Sequence, residues 1–569
     1  MKTSGDYPLF VKLLFLFPLA VFCIFLGYFA VDVPQGDDFA LILHFLSNYV
    51  STGNDYTQKI NLLTAQFVEH RLLYTRLVVL FQYLLTGKVS FYLIIFLGNL
   101  SLLGIFVLCW RQLKTARYSL LYLLPISLLL FQPCYSYDGV LWPAATLAYN
   151  SVSFFALLTI HWLSSRRPVH FWLAVVSAAL CTYTFGNGML VLLAGAGLLI
   201  VQKRWKPLII WIGISVLIGA VYFHEYLLIQ SRNNPLDNLS THTLYVAINF
   251  FIFLGSALNW DDAWPKFLTL SDLNSLVGGI IVFGFAGYVF YLSFVSLFST
   301  IRRNNTVLFD FLFGGFVFFV LTGLLVSVSR VNEDSLLLHI NRYRINSVVV
   351  LLLSYLTLIP FFEKHRRFYR LVPIGLTGFC LLSYFHFYAV FSEYKRTYSA
   401  GKFNWVNAHE WFIYRDTSYW EKASEMVTHQ ARQKLGYQIA SSPFSQVISE
   451  EKPLKELKIK KSEAEKSISV EGYPDSAGFL GWGKDYYLAF RNVGQATTYL
   501  AQTHYNRRSI RYFLMGQPYY YPVFHANLSY RHFPTGKYQV GIALAEKNKL
   551  EICWQPVTFH TVQESNVRQ

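Results

Sequence analysis

The sequence predicts a mostly α-helical, polytopic membrane domain followed by a small soluble β-sandwich-like domain, and three observations carry that prediction. First, the chain of 569 residues is 54% hydrophobic and only 14% charged, against roughly 25% charged in soluble globular proteins. Second, the apolar residues are gathered into long runs across 8–392, with the charges pushed to their edges. Third, 393–569 reads as ordinary polar sequence, and its last hundred residues break into short β-like runs.

A helix needs about 20 apolar residues to cross the hydrocarbon core. The runs 8–31, 90–110, 118–132, 144–163, 169–185, 188–202, 207–229, 273–298, 308–328, 346–363 and 371–392 are therefore predicted spans, about eleven in all. The first is too long for a cleaved signal core and lacks a small-residue cleavage site, so it is read as retained. Basic clusters orient the set: Arg111, Lys114 and Arg117; Arg166 and Arg167; Lys203, Arg204 and Lys206; Arg302 and Arg303; Lys364, Arg366, Arg367 and Arg370. If every run spans, all of these lie on the side of the N-terminus, as the positive-inside rule requires. The N-terminus is then cytoplasmic, and the C-terminal domain is periplasmic or extracellular at a cell (inner) membrane. Leu72–Gly87 follows Glu69-His70-Arg71 and carries Arg76 and Gln82; counting it as a span would invert the later loops. It and Val246–Leu258 are read as interfacial or re-entrant helices.

The net charge of +16 is explained by these loop clusters rather than by a basic patch for nucleic acid. The six cysteines, Cys23, Cys109, Cys134, Cys181, Cys380 and Cys553, are scattered and read as small buried hydrophobes. No His/Cys cluster has metal-site spacing, and no cofactor or metal is expected.

This topology puts the polar residues on the outer face. The first outer loop, 32–89, holds Asp32, Gly36-Asp37-Asp38, Asp55 and Glu69-His70-Arg71. Later outer loops hold Tyr137-Asp138-Gly139 with Trp142; Phe185-Gly186-Asn187-Gly188; His224, Glu225, Arg232 and Asp237; and Arg330 through Glu333, Asp334 and Arg342-Tyr343-Arg344. Charges at a membrane edge are costly and mark candidate sites. The Asp37-Asp38 pair stands before a helical segment, Phe39–Val50. It has two readings: a general base or cation ligand, or a helix cap with a first-turn acid. Arg330, Arg342 and Arg344 suit phosphate groups, bidentate and charged at any local dielectric; headgroup anchoring is the other reading. Asn187 between two glycines reads most simply as a turn.

Several strings resemble bacterial polytopic glycosyltransferases of the GT-C superfamily. Phe67-Val68-Glu69-His70-Arg71 with Thr75-Arg76-Leu77 looks like their "EHR…RL" string. Thr184-Phe185-Gly186-Asn187-Gly188 resembles their "S/T-F-G-N-G" turn, and Ser329-Arg330 with Asn341-Arg342-Tyr343 a late "R…RY" pair. The resemblance covers 8–392. It implies transfer of a sugar from a polyprenyl-phosphate donor to a glycan or lipid-linked acceptor, with inversion, in building a cell-envelope polysaccharide. It implies Asp37 or Asp38 as the base, and Arg330, Arg342 and Arg71 on the leaving phosphate. Glu69, His70, Asp138, Asn187 and Tyr343 join them as substrate-binding candidates. Its partners are membrane lipid, the sugar-lipid donor and the acceptor, not nucleic acid. A transporter or flippase for a lipid-linked glycan would share the spans and arginines, but it often shows internal repeats, and none is found. A membrane anchor presenting a β-domain would not need so many spans.

In the C-terminal part, 393–466 reads as a connector. Trp405, Trp411 and Trp420 lie near the interface, Trp420–Gly436 is predicted helical, and Glu450–Lys466, with mixed charges, is read as a solvated helix or linker. Ser467–Glu471, Tyr486–Arg491, Thr497–Thr503, Pro522–Leu528 and Tyr538–Ala545 read as strands, with Pro534–Tyr538 a turn into the last.

Overall fold

The apolar runs fold as helices in the computed structural model of the chain. It describes residues 13–561 apart from 228–234, 260–268, 299–305, 331–340, 412–417, 440, 452–456, 463–466, 473–483, 496, 508–514, 516–519, 530–532, 534 and 547. Arg232, Arg302, Arg303, Glu333, Asp334 and Pro534 of the sequence reading lie outside the described residues.

The helices are α1 (Leu16–Phe29), α2 (Phe39–Ser51), α3 (Tyr56–Thr64), α4 (Leu73–Thr86), α5 (Phe91–Thr115), α6 (Leu120–Val140), α7 (Pro143–Ser164), α8 (Pro168–Thr182), α9 (Gly186–Val201) and α10 (Trp205–Phe223). They continue as α11 (Pro235–Thr241), α12 (Thr243–Leu258), α13 (Leu270–Phe298), α14 (Thr306–Arg330), α15 (Asn341–Lys364), α16 (Arg366–Ala408) and α17 (Ser418–Leu435). Among the described residues eight are long and apolar enough to cross a membrane: α5, α6, α7, α10, α13, α14, α15 and α16. The expected spans 8–31, 169–185 and 188–202 correspond to the shorter apolar helices α1, α8 and α9.

Local chemistry sets the helix ends. Ser90 accepts the Leu93 N–H at the start of α5, and Asp55 caps α3 through the Gln58 N–H. At α13, the Thr269 N–H reaches the Asp272 carboxylate at 2.9 Å while the Asp272 N–H reaches the Thr269 hydroxyl at 3.2 Å, a reciprocal cap of the capping-box kind. Helix α4 ends at Gly87, whose φ of +65° is the left-handed cap that glycine adopts without a Cβ penalty. It has 14 residues, about 21 Å of helix, short of the roughly 30 Å core. Thr75, Arg76, Val79, Leu80 and Gln82 are buried while Leu77, Phe81, Leu84 and Leu85 are exposed.

Two compact units divide the chain: residues 1–28 with 52–387, and 29–51 with 388–569. The sequence predicts 32–89 as one outer loop, but its first part, 32–51, folds with the C-terminal residues. Phe29 packs edge-on against Tyr388 and Phe391, Phe39 against Trp411, and the Gln35 carboxamide donates to the Tyr394 hydroxyl.

The second unit carries two sheets. Five strands lie in the order β3 (Gln446–Glu450), β11 (Lys549–Thr561), β10 (Gly536–Glu546), β6 (Lys484–Asn492) and β7 (Thr498–Gln502), antiparallel except for the parallel β11–β3 pair. Four antiparallel strands lie in the order β4 (Leu457–Ser462), β5 (Ser467–Gly472), β9 (Tyr520–Ser529) and β8 (His504–Arg507). All five expected strands are present. The linker or helix expected over Glu450–Lys466 is corrected at Leu457–Ser462, where ladder pairing to β5 wins over a charge pattern that a strand edge tolerates equally well. Alternation along β6 splits two cores. Leu488 and Phe490 join Val470, Tyr538, Val540 and Phe559, whereas Tyr487 and Ala489 join Leu500, Ile552 and Trp554 with Ala400 and Phe403 of α16. Asn404 on α16 accepts the Leu500 N–H and donates to the Leu500 carbonyl, and buried Arg396 donates to the Thr503 carbonyl and pairs with Asp485 at 3.4 Å.

Between α16 and α17, Glu410 bonds Tyr499, and Glu425 accepts the Trp411 N–H. Burial, and then the neighbouring Glu410 carboxylate, pushes the Glu425 carboxyl up to about 7. A carboxyl raised in the folded state contributes stability that is complete below its ordinary value near 4.5 and is lost as pH rises towards 7. Glu425→Gln is therefore expected to unfold at a higher temperature than the parent at pH 8 and at the same temperature at pH 4, in paired thermal melts. A gap of equal size at both pH values would refute it.

Candidate functional site

The strings singled out in the sequence meet at one end of the first unit. Gln66–Phe67 (β1) and His70–Arg71 (β2) form a hairpin closed at Val68, with φ +49°. The His70 ring lies 4.0 Å, centroid to centroid, from Phe185, and Phe185 lies 4.6 Å from Tyr149. Tyr149 meets Tyr343 edge-on at 5.4 Å, bonds it, and lies under the Arg342 guanidinium at 5.8 Å. The same guanidinium sits 5.5 Å over Trp142. Arg330 pairs with Glu69 at 3.9 Å, with both side chains partly exposed. The 69–71, 142–149 and 185–188 segments, with Arg330, Arg342 and Tyr343, thus form one cluster.

Two glycines permit this approach. A Cβ on Gly186 would stand 2.6 Å from His70 Nδ1 and 3.1 Å from its Cε1. A Cβ on Gly188 would stand 1.9 Å from the Cys181 carbonyl oxygen. The first obstacle is a side chain and the second is backbone. The sequence reading of this string as a plain turn gave its glycines conformational freedom; the structure gives them missing volume as well.

The arginines divide by what they touch. Arg71, expected on phosphate, instead donates to three backbone carbonyls: Tyr222 at 2.7 Å, Thr64 at 2.7 Å and His224. It anchors the hairpin to the chain after α10. Arg76 does similar work on the carbonyls of Leu63 and Ala65. Buried Arg344 donates to the Cys134 carbonyl and lies over Phe387 at 5.3 Å. Arg330 and Arg342 differ: one is held by a carboxylate and the other by aromatic faces, and both are half-buried.

Asn187 is buried and directs its Nδ2 to the Thr322 hydroxyl at 3.4 Å. Tyr343 is buried against Tyr149 and Phe253 and forms part of the cluster wall. Asp138 is half-buried in the last turn of α6, which packs against Asn341–Tyr343. Trp142 and Tyr149 were not candidates in the sequence reading. Tyr149 lies inside an apolar run, where an aromatic reads as core, but a π-helical turn, Thr146–Asn150, shifts its register. Such turns are rare and frequent at functional sites.

Asp37 and Asp38 belong to the second unit. The Asp38 side chain is fully buried, and its Oδ2 accepts the Gln35 N–H at 2.9 Å. Together with Asp32 it acts on buried Tyr437, whose phenol is pushed up first by burial and then by these carboxylates. Neither acid caps α2 in the usual way: the helix opens with a π-helical turn, Phe39–His44, and Asp38 makes no side-chain cap bond. Asp37 is exposed. Among the described residues no group of three His, Cys, Asp or Glu is placed to hold a metal ion. Comparison of the chain with protein-family models, with curated proteins and with solved structures finds no match.

Gly188→Ala is expected to lower stability by about 1–3 kcal/mol or more, because its obstacle is backbone. Gly186→Ala should cost less, since the His70 ring can turn away. Thermal unfolding of the two purified variants tests the order, and a smaller loss for Gly188→Ala would contradict it.

Proposed function

We propose that the protein is a membrane glycosyltransferase that moves a sugar from a polyprenyl-phosphate donor to a glycan or lipid-linked acceptor at the outer face. The observation that carries the reading is the meeting of Arg330 and Arg342 with Glu69, His70 and Asn187 at one end of a helical unit. Guanidinium groups bind phosphate bidentately and stay charged whatever the local dielectric. In the reaction, the acceptor oxygen bonds the anomeric carbon as the bond from that carbon to the phosphate oxygen breaks. The polyprenyl phosphate departs as an anion, so no acid is needed. Arg330 and Arg342 stabilise the charge that grows there. The resemblance assigns the acceptor's proton to Asp37 or Asp38; the Asp37 carboxylate is exposed, while Asp38 accepts the Gln35 N–H. Inversion follows from a single displacement.

The rest of the reading is topological. About eleven helices span, the N-terminus is cytoplasmic, and the second unit stands outside with its sheets packed as a sandwich. Labelling of Lys114→Cys and Lys549→Cys in a background without native cysteines should report opposite sides of the membrane; labelling from one side would end the eleven-span scheme.

Asp37→Asn is expected to lower sugar transfer by about 10²–10⁴-fold in protein that still inserts and folds, and Asp38→Asn to lower it little. Full activity in Asp37→Asn would remove it as the base. Arg330→Gln and Arg342→Gln should each weaken binding of polyprenyl phosphate about tenfold, the size of one charge-assisted bond. Arg342→Lys should not restore it, because an ammonium lacks the planar fork. Unchanged binding in both Gln variants would refute the phosphate assignment.

A further inference from the structure

The turn at the end of α6, residues 136–142, is gripped from two helices. Asn99 on α5 donates its Nδ2 to the Val140 carbonyl at 2.8 Å, and Asn150 on α7 donates to the preceding Gly139 carbonyl at 3.1 Å. A carbonyl accepts only from the amide nitrogen, so these bonds fix which way each carboxamide faces. Both carboxamide oxygens are buried and have no hydrogen-bond partner among the described residues. The same holds for Ser136 Oγ and Trp142 Nε1 at the two ends of the turn. Ser136 is fully buried with φ +58° and ψ 175°, a backbone conformation that belongs to glycine.

A buried polar atom left without a partner is costly, and four of them surround one short turn. The set contains two acceptors, one N–H donor and one hydroxyl that does both. The half-buried Asp138 carboxylate lies in the turn, and the Arg342 guanidinium lies over the Trp142 ring. Two amide oxygens and a carboxylate repel a phosphate, whereas they accept readily from hydroxyl groups. We propose that the 136–142 turn, with Asn99 and Asn150, binds the sugar ring of the lipid-linked donor. The inference rests on the proposed glycosyltransferase reading and divides the donor headgroup: the phosphate goes to the arginines and the neutral hydroxylated ring to this turn.

Ser136→Gly separates this role from a structural one. Glycine relieves the positive φ, so the variant should be at least as stable as the parent while lacking the hydroxyl. Trp142→Phe keeps one aromatic ring and removes the N–H together with the second ring of the indole. Full-length protein in lipid nanodiscs would be titrated with polyprenyl phosphate carrying no sugar, a hexose or a pentose. Wild type should bind one of the sugar-bearing lipids more tightly than the bare one. Ser136→Gly should weaken that binding about tenfold, one hydrogen bond's worth, and leave the bare lipid unchanged, and Trp142→Phe should weaken the sugar-bearing lipid more than the bare one. If Ser136→Gly lowers the unfolding temperature, or the variants leave sugar-bearing and bare lipid in their wild-type ratio, the atoms serve structure or buried water and the proposal is overturned. Wild type that binds the bare lipid as well as any sugar-bearing one overturns this inference alone. Wild type that binds none of the lipids overturns the glycosyltransferase reading together with it.

Discussion

The arrangement of the polar end depends on the close approach of the 186–188 backbone to its neighbours. Gly188 lies against the Cys181 carbonyl, which folds the link between α8 and α9 tightly back on itself, and Gly186 lies against His70. With no side-chain volume at either position, the β1–β2 hairpin can rest on the turn, and Phe185 fills the space between His70 and Tyr149. From that contact the remaining positions follow: Glu69 comes within reach of Arg330, and Tyr149 within reach of Tyr343 and Arg342. A chain of packed rings thus connects segments far apart in sequence.

Charge in a weakly polar interior has to be satisfied or exposed, and the arginines show both solutions. Arg71 and Arg76 complete the hydrogen bonding of carbonyls in the last turns of α3 and α10, which the helix ladder leaves unserved. Arg344 does so for Cys134 and Arg396 for Thr503. These four hold the fold together. An aromatic face attracts a guanidinium by its quadrupole, and Arg342 lies over two rings.

The second unit shows how a segment early in the chain is recruited late. Residues 29–51 bury Phe29, Phe39 and Gln35 among side chains beyond 388, and α17 packs on α2. This separates two adjacent acids that look equivalent in sequence. Asp38 is drawn into the interior beside Gln35 and Tyr437, and Asp37 is left exposed.

Much of the architecture was legible in the sequence, because it depends on local signals. Helices stand at all eleven apolar runs, and strands at all five alternating ones, since burial period and run length act within a few residues. The peculiar polar strings could also be recognised, as charges beside apolar runs are costly wherever they fall. What the sequence left open were matters of distant pairing. The strand at 457–462 is decided by its ladder with β5, the register of Tyr149 by a π-helical turn, and the tether at Arg71 by carbonyls about 150 residues away. Composition and periodicity determined which segments are helix, strand or membrane-apolar. Only the tertiary structure decided which arginines are spent on backbone, which aspartate is exposed and which buried amide oxygens have no partner among the described residues, because each of these depends on atoms brought close by folding and not by the chain.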